Sequence, residues 1–120
     1  MKDIEKELDR LVQQWASTQR SYLDGSKPCV GHHHIHRSCR LLRWDLHNII
    51  PLTYTQHTLF HNGSLQYFIH NPFREEYLNL MKNKDLKDYL LENNLTEDEW
   101  LEKNLKNLKK YIDNTKNVCY

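Results

Sequence analysis

Apolar side chains recur every three or four residues at both ends of the chain, and this spacing predicts amphipathic helices there. Near the N-terminus the repeating positions are Ile4, Leu8, Leu11, Val12 and Trp15. They place an N-terminal helix within residues 1–22. Further helices are expected within residues 71–115, where three residues are suited to begin them as N-caps: Asn71, Asp85 and Thr96.

The middle of the chain, residues 29–62, has a different pattern. It shows no helical period before Thr55, and residues 49–54 are typical of a short strand followed by a turn. A short helix capped by Thr55 would carry His57 and His61. We therefore predict an α+β fold of one domain, residues 1–120, in which a small, strand-poor centre is flanked by N-terminal and C-terminal helices.

Composition and charge exclude several classes of protein. The chain is 38% hydrophobic and 28% charged, which is typical of a folded domain rather than a disordered tail. A net charge of +1 indicates no particular partner, and no apolar run is long enough to span a membrane. The first ten residues carry acids where a secretion signal would be basic and then apolar. Three cysteines, an odd number, argue against a disulfide framework, so we expect a cytoplasmic protein.

Histidine is the residue type that indicates chemistry. All eight histidines lie between positions 32 and 70. On a helix, His57 and His61 would lie one turn apart on the same face, where both imidazoles can bind one metal ion. A third ligand from a separate segment would complete a facial set and leave coordination positions open, as catalytic metal sites require. A neighbouring imidazole that does not bind the metal could then accept a proton from water.

Residues 31–52, GHHHIHRSCRLLRWDLHNIIPL, resemble a phage subgroup of the HNH endonuclease family. The intervals from His33 to Arg37, from Arg37 to Arg43 and from Asp45 to Asn48 match the spacing of that subgroup without a gap.

A second resemblance concerns the intervals between four residues. The spacing of His32, Asn48, His57 and His61 is similar to that of the DNase colicins. Together the resemblances cover roughly residues 8 to 112, with the specific motif confined to 31–61. They imply a ββα-metal centre within residues 29–62.

The resemblance also implies a role for each residue of the motif. His32, His57 and His61 would hold one divalent metal ion, His33 would be the general base, and Asn48 would orient His33 across the turn between the strands. The metal would neutralise the scissile phosphate and stabilise the leaving 3′ oxygen. The implied activity is metal-dependent hydrolysis of DNA phosphodiester bonds by an endonuclease of a phage or mobile element, acting in the host cytoplasm.

The chain departs from this subgroup at its cysteines. Many phage HNH proteins carry two Cys-x-x-Cys pairs that hold a structural zinc. Here Thr53 and Gln56 occupy the positions of the second Cys-x-x-Cys pair, and residues 20–23, which contain no cysteine, occupy those of the first. Cys29 and Cys39 are ten residues apart. We therefore predict no structural zinc. The family's glycine after the motif asparagine is also replaced, by an isoleucine that could reshape the turn.

Local charge supports nucleic acid as the partner. Residues 27–61 contain four basic residues and one acid, a net of +3, whereas residues 62–120 contain nine basic and ten acidic residues. Positive charge is thus concentrated around the candidate site, as phosphate binding needs. Arg37, Arg40 and Arg43 are the candidate nucleic-acid-binding residues. No base-reading helix is evident, so we expect little sequence specificity.

Other residues of this segment have simpler interpretations. We expect Trp44 to be a core residue, His47 to be exposed, and Asp45 to pair with one of the arginines. His34 and His36 are expected on the surface or facing DNA.

Several alternatives stay open at this stage. The chain could be a catalytically silent module with the HNH fold that binds nucleic acid or a host protein, and a nuclease of this size could need a targeting partner. Three imidazoles do not decide between Mg²⁺, Mn²⁺, Ni²⁺ and Zn²⁺. Monomer and homodimer, and the form of the DNA substrate, are also undecided.

Overall fold

The computed structural model describes residues 2–116, with side chains through residue 113, and it confirms the predicted α+β class. The described part contains six helices and one two-stranded antiparallel sheet. The helices are α1 (Asp3–Ser17), α2 (Arg40–Arg43), α3 (Tyr54–His61), α4 (Pro72–Lys82), α5 (Leu86–Glu92) and α6 (Glu97–Lys116). The strands are β1 (Val30–His33) and β2 (Ile49–Leu52). None of the described helices combines the length and apolar character that crossing a membrane would require.

The two strands form a hairpin, and the loop between them holds α2 and a short 3₁₀ turn, Leu46–Asn48. His33 pairs with Ile49 where the strands meet this loop. A single residue, Thr53, separates β2 from α3. The chain order in this part is therefore strand, strand, helix.

Helix α1 is fixed on the hairpin by one glutamine. The Gln13 side chain accepts a hydrogen bond from the Gly31 N–H at 2.8 Å and donates one to the Gly31 carbonyl at 3.1 Å. A Cβ atom at position 31 would lie 2.8 Å from Ile49 Cγ2 and 3.2 Å from Ala16 Cβ. Only glycine permits this close approach, which places α1 directly beside the histidines of β1.

The core lies between α1, α6 and the back of the hairpin. Trp44 is 2% exposed, as predicted for a core residue, and its ring centroid lies 5.6 Å from that of Trp100 in α6. Apolar residues from α1 and α6 complete the core: Leu8, Leu11, Val12, Ala16, Leu101, Leu108 and Ile112. These helices supply the packing that supports the hairpin.

The predicted N-caps of the C-terminal helices are confirmed. The side chains of Asn71 and Asp85 accept hydrogen bonds from the first-turn N–H groups of α4 and α5. Thr96 and Glu99 form a reciprocal capping box at the start of α6.

The prediction for the middle segment was wrong in two details. Thr53 rather than Thr55 caps α3, through a capping box with Gln56. The loop between the strands contains α2 and the 3₁₀ turn, whereas the sequence indicated no helix before residue 55. Both elements are too short to show a helical period, so their hydrophobic pattern could not predict them.

Asp9 of α1 holds the loop between the strands. Its carboxylate accepts hydrogen bonds from Arg43 Nε at 3.0 Å, Arg43 Nη2 at 2.6 Å and the Trp44 indole N–H at 2.9 Å. Burial alone would raise the pKa of Asp9, but the bonds from Arg43 and Trp44 outweigh it and lower that pKa below its usual value. The ionised form is thus the one that stabilises the fold.

Asp9→Asn should lower the free energy of unfolding by about 2 kcal/mol, because the neutral amide leaves the largely buried guanidinium of Arg43 without its counter-ion. Urea unfolding followed by circular dichroism measures the change. Glu7→Gln is the matched control, since Glu7 pairs with Arg10 in the same helix at an exposed position, and it should leave the midpoint unchanged. Equal midpoints for the two variants would show that Asp9 does not hold the loop.

Candidate metal centre

Three histidines from two elements meet on one side of the hairpin. His32 comes from β1, and His57 and His61 come from successive turns of α3. One ring nitrogen from each residue can be chosen so that all three lie within 4.8 Å of one another. The Nε2 atoms of His57 and His61 are 2.9 Å apart. The structure thus brings together the three residues predicted as metal ligands.

Local sequence explains this convergence. The capping box between Thr53 and Gln56 starts α3 immediately after β2, so the helix turns back over the hairpin at a fixed position. The Gln56 side chain also accepts a hydrogen bond from the Ser21 hydroxyl at 2.6 Å, which ties this turn to the segment after α1. His57 and His61 then face His32 because their spacing is one helical turn.

The donor set fits a divalent metal ion. Nitrogen ligands of a tetrahedral zinc ion would lie about 3.3 Å apart, and the three ring nitrogens already lie within 4.8 Å of one another. His32 is 7% exposed, and within the described part of the chain its ring contacts other rings but makes no hydrogen bond. His61 is exposed, so one side of the cluster faces solvent. These residues could hold an ion and leave positions open for a substrate.

The environment of His32 keeps its imidazole neutral. Burial, followed by the neighbouring His57, His61 and His33, lowers the pKa of His32 to about 4. Burial also lowers the pKa of His57. Neutral imidazole is the form that binds a metal ion, so protons compete weakly with the ion for His32 at neutral pH.

His33 lies beside the cluster with its ring fixed by the loop. Its Nε2 donates a hydrogen bond to the Arg43 carbonyl at 2.9 Å. A carbonyl oxygen can only accept, so Nε2 carries the proton and Nδ1 keeps a lone pair when the ring is neutral. Burial lowers the pKa of His33, which favours the neutral form. The ring is thus prepared to accept a proton at Nδ1.

Asn48 is fully buried and holds the same loop together. Its side-chain carbonyl accepts from the Ile35 N–H at 2.7 Å, and its amide donates to the carbonyls of Ile35 at 2.9 Å and Leu42 at 3.2 Å. These bonds cross between the strands as expected, but they reach backbone groups rather than His33. Since Leu42 precedes Arg43, Asn48 fixes the segment whose next carbonyl orients the His33 ring.

The three arginines predicted to bind nucleic acid differ in accessibility. The Arg43 side chain is 12% exposed and paired with Asp9, and Arg40 contacts Glu97 at 2.9 Å. The Arg37 side chain is 53% exposed, and its contact with Asp9 is longer, at 3.4 Å. Their role in nucleic-acid binding stays a prediction, and Arg37 is the most accessible of the three.

The remaining interpretations of this segment have mixed outcomes. His47 and His36 are exposed, as expected. Asp45 was expected to pair with an arginine, and this is wrong: its carboxylate accepts hydrogen bonds from His47 and from the Tyr77 hydroxyl. The acid that pairs with the loop arginine comes from α1 instead.

Tyr67 is the residue of this region that the sequence did not indicate. Its ring lies edge-on to His32 with centroids 5.8 Å apart, and its hydroxyl hydrogen bonds to Nδ1 of His34 at 2.8 Å. It belongs to the irregular segment between α3 and α4, where no periodicity or motif marks a functional position. Its proximity to the cluster depends on tertiary packing alone.

Comparison of this chain with models of protein families, with curated proteins and with solved structures finds no match. Function is therefore inferred from the geometry of the histidines and of the loop that surrounds them.

Acid should destabilise the metal-free protein through His32. In the unfolded chain His32 accepts a proton near its usual pKa of 6.5, whereas the folded protein resists protonation down to a pKa of about 4. As the pH falls from 6.5 to 4, this difference should therefore remove about 3 kcal/mol of stability. Urea unfolding in EDTA at several pH values measures the loss.

His32→Leu is the comparison for this experiment, because leucine cannot titrate. The stability of the variant should fall less steeply over the same pH interval, whatever its absolute value. Identical pH dependence in the two proteins would mean that His32 is not held neutral in the fold.

Proposed function

We propose that this chain is a metal-dependent endonuclease of the HNH type that hydrolyses phosphodiester bonds in DNA, with β1, β2 and α3 as its ββα-metal centre. The observation that carries the proposal is the cluster of His32, His57 and His61 beside a fourth histidine, His33, whose Nδ1 has no hydrogen-bonding partner among the described residues and can act as a base. Three neutral nitrogen donors with an adjacent base are the parts that metal-assisted hydrolysis needs.

His33 performs the proton transfer in the proposed reaction. Its Nδ1 takes a proton from a water molecule as the water oxygen attacks phosphorus, and the Arg43 carbonyl keeps the ring in place through Nε2. A divalent ion held by His32, His57 and His61 would supply charge neutralisation at the phosphate and at the leaving 3′ oxygen. The P–O3′ bond breaks, the 3′ oxygen acquires a proton from solvent, and the products carry 5′-phosphate and 3′-hydroxyl ends.

The surroundings of the site favour contact with the DNA backbone rather than with bases. The site is built on a hairpin and an eight-residue helix, α3, whose two histidines face His32 rather than outward as a base-reading row. Arg37 lies in the loop next to the base with its charge largely accessible. We therefore expect cleavage with little sequence preference.

Cleavage of supercoiled plasmid tests the proposal. The purified protein is incubated with EDTA and, in parallel, with Mg²⁺, Mn²⁺, Ni²⁺ and Zn²⁺. We expect relaxation or linearisation with at least one ion and none in EDTA, and the product distinguishes a nick from a double-strand break. Absence of cleavage with every ion, in protein that is folded and binds metal, would contradict the proposal.

A second candidate is a catalytically silent module of the same fold that binds nucleic acid or a host protein. The observation that favours it is the engagement of Arg43 and Arg40 by acids of α1 and α6, which reduces the free positive charge beside the site. Such a module would bind metal and a partner without cleaving DNA. A metal-dependent cleavage activity that disappears in His33→Ala would exclude it.

A further inference from the structure

Tyr67 connects the metal centre with a histidine outside it. The Tyr67 ring centroid lies 5.8 Å from that of His32 and 5.4 Å from that of Phe60, so the phenol packs against one wall of the cluster. Its hydroxyl reaches Nδ1 of His34 at 2.8 Å. One aromatic side chain therefore contacts a metal ligand and fixes a second imidazole.

The hydrogen bond sets the proton position on His34. Among the described residues, Nδ1 of His34 is the one hydrogen-bonding partner of the Tyr67 hydroxyl. A half-buried phenol is satisfied by donating its proton to that acceptor. The other ring nitrogen, Nε2, then carries a hydrogen, and no described side chain or carbonyl accepts it. His34 thus presents a fixed N–H donor beside the metal centre.

We propose that His34 donates this N–H to a non-bridging oxygen of the phosphodiester next to the scissile one, and that Tyr67 is the positioning residue that holds the His34 ring. The proposal rests on the nuclease function proposed above. His32 and His34 contact the same phenol ring, so they lie close enough to face neighbouring phosphates of one strand. Phosphate contacts of this kind set the register of the substrate and carry no sequence information.

The chemistry of imidazole allows a competing role, in which His34 is a further ligand of the metal ion. The two roles make different predictions. A phosphate contact affects the affinity for DNA and not that for metal, whereas a ligand affects the affinity for metal first.

Three variants test the proposal: Tyr67→Phe, His34→Ala and the double variant. Cleavage of a short fluorescein-labelled DNA duplex in Mn²⁺ gives KM and kcat, and fluorescence anisotropy in EDTA gives the affinity for the same duplex. We expect each single variant to raise KM and Kd about 3- to 10-fold, with kcat and Mn²⁺ affinity unchanged. The double variant should resemble His34→Ala alone, since Tyr67 acts through His34.

Tyr67→Phe keeps the aromatic ring packed on His32 and removes only the hydroxyl. If the role of Tyr67 were merely structural, KM would stay unchanged in this variant, and that result would overturn the proposal. Weakened Mn²⁺ binding in His34→Ala would also overturn it, in favour of the ligand role. The controls are His47→Ala and Tyr54→Phe, which alter exposed residues outside the proposed phosphate contact and should behave as the wild type.

The binding measurement separates this inference from the nuclease proposal. If the wild type binds the duplex without cleaving it, the nuclease proposal fails, and the Kd values of the variants still decide the role of His34. If the wild type cleaves and the variants match it in KM and Kd, only the inference fails. If the wild type neither binds nor cleaves the duplex, both are overturned.

Discussion

His33→Ala should lower the rate of DNA cleavage by about 10²- to 10⁴-fold, the usual contribution of a general base. The variant removes the proposed proton acceptor at Nδ1 but none of the three ring nitrogens of the histidine cluster. We therefore expect unchanged affinity for Mn²⁺ and a small change in KM, so that the loss falls on kcat. Initial rates on plasmid DNA, with metal binding measured on the same preparation, test both parts.

His47→Ala is the matched control for this experiment, because His47 is exposed and its ring hydrogen bonds to Asp45, away from the histidine cluster. It should cleave at the wild-type rate. If His33→Ala cleaves as fast as the control, His33 is not the general base. A His33→Ala protein that no longer binds Mn²⁺ would place His33 in the metal site instead.

His57→Ala should weaken metal binding by more than about 100-fold and abolish cleavage with it. His57 and His61 approach to 2.9 Å through Nε2, and removal of one leaves two separated donors. Loss of a group that merely orients a ligand already costs about 10- to 100-fold in affinity, so loss of the ligand itself should cost more. Isothermal titration of chelator-treated protein with Zn²⁺ or Ni²⁺ measures the change.

Thermal unfolding provides an independent measure of the same site. A metal ion present at about 100 times its Kd should stabilise the wild type by about 2.7 kcal/mol and His57→Ala much less. His47→Ala is the control, since His47 is exposed, bonds to Asp45 and lies outside the cluster. If His57→Ala and His47→Ala bind metal equally well, the binding site lies elsewhere in the chain.

The sequence predicted those parts of the fold that local interactions determine. The N-caps at Asn71, Asp85 and Thr96 are confirmed because a capping side chain bonds to backbone groups within three residues of itself. Elements without such local signals were missed or shifted. Helix α2 is only four residues long, and the start of α3 depends on Gln56, whose bonds to Thr53 select that residue over Thr55.

In the candidate site, too, features set by local spacing could be predicted, and features set by tertiary packing could not. The common face of His57 and His61 follows from helical spacing, but the position of His32 against them came from resemblance to a family and required the hairpin to close. The approach of Tyr67 could not be predicted, since it depends on how the segment after α3 folds back over β1.

Partners distant in sequence were the least predictable part of the site. Arg43 finds its acid in Asp9, 34 residues earlier, whereas the sequence suggested that Asp45 would pair with one of the loop arginines. Asn48 was expected to orient His33, and its bonds instead hold backbone groups of Ile35 and Leu42. Such pairings are set by the docking of α1 and the path of the loop, which no local pattern records.

Cleavage of a defined DNA duplex by chelator-treated protein tests the central proposal most directly. The protein is assayed without metal and after Mn²⁺ is restored, and the ends of the products are identified. We predict cleavage only after the ion is restored, with 5′-phosphate and 3′-hydroxyl ends, because in the proposed reaction water activated by His33 attacks phosphorus and the 3′ oxygen leaves. Cleavage that persists in EDTA, or no cleavage in folded protein whose histidine cluster binds Mn²⁺, would contradict it.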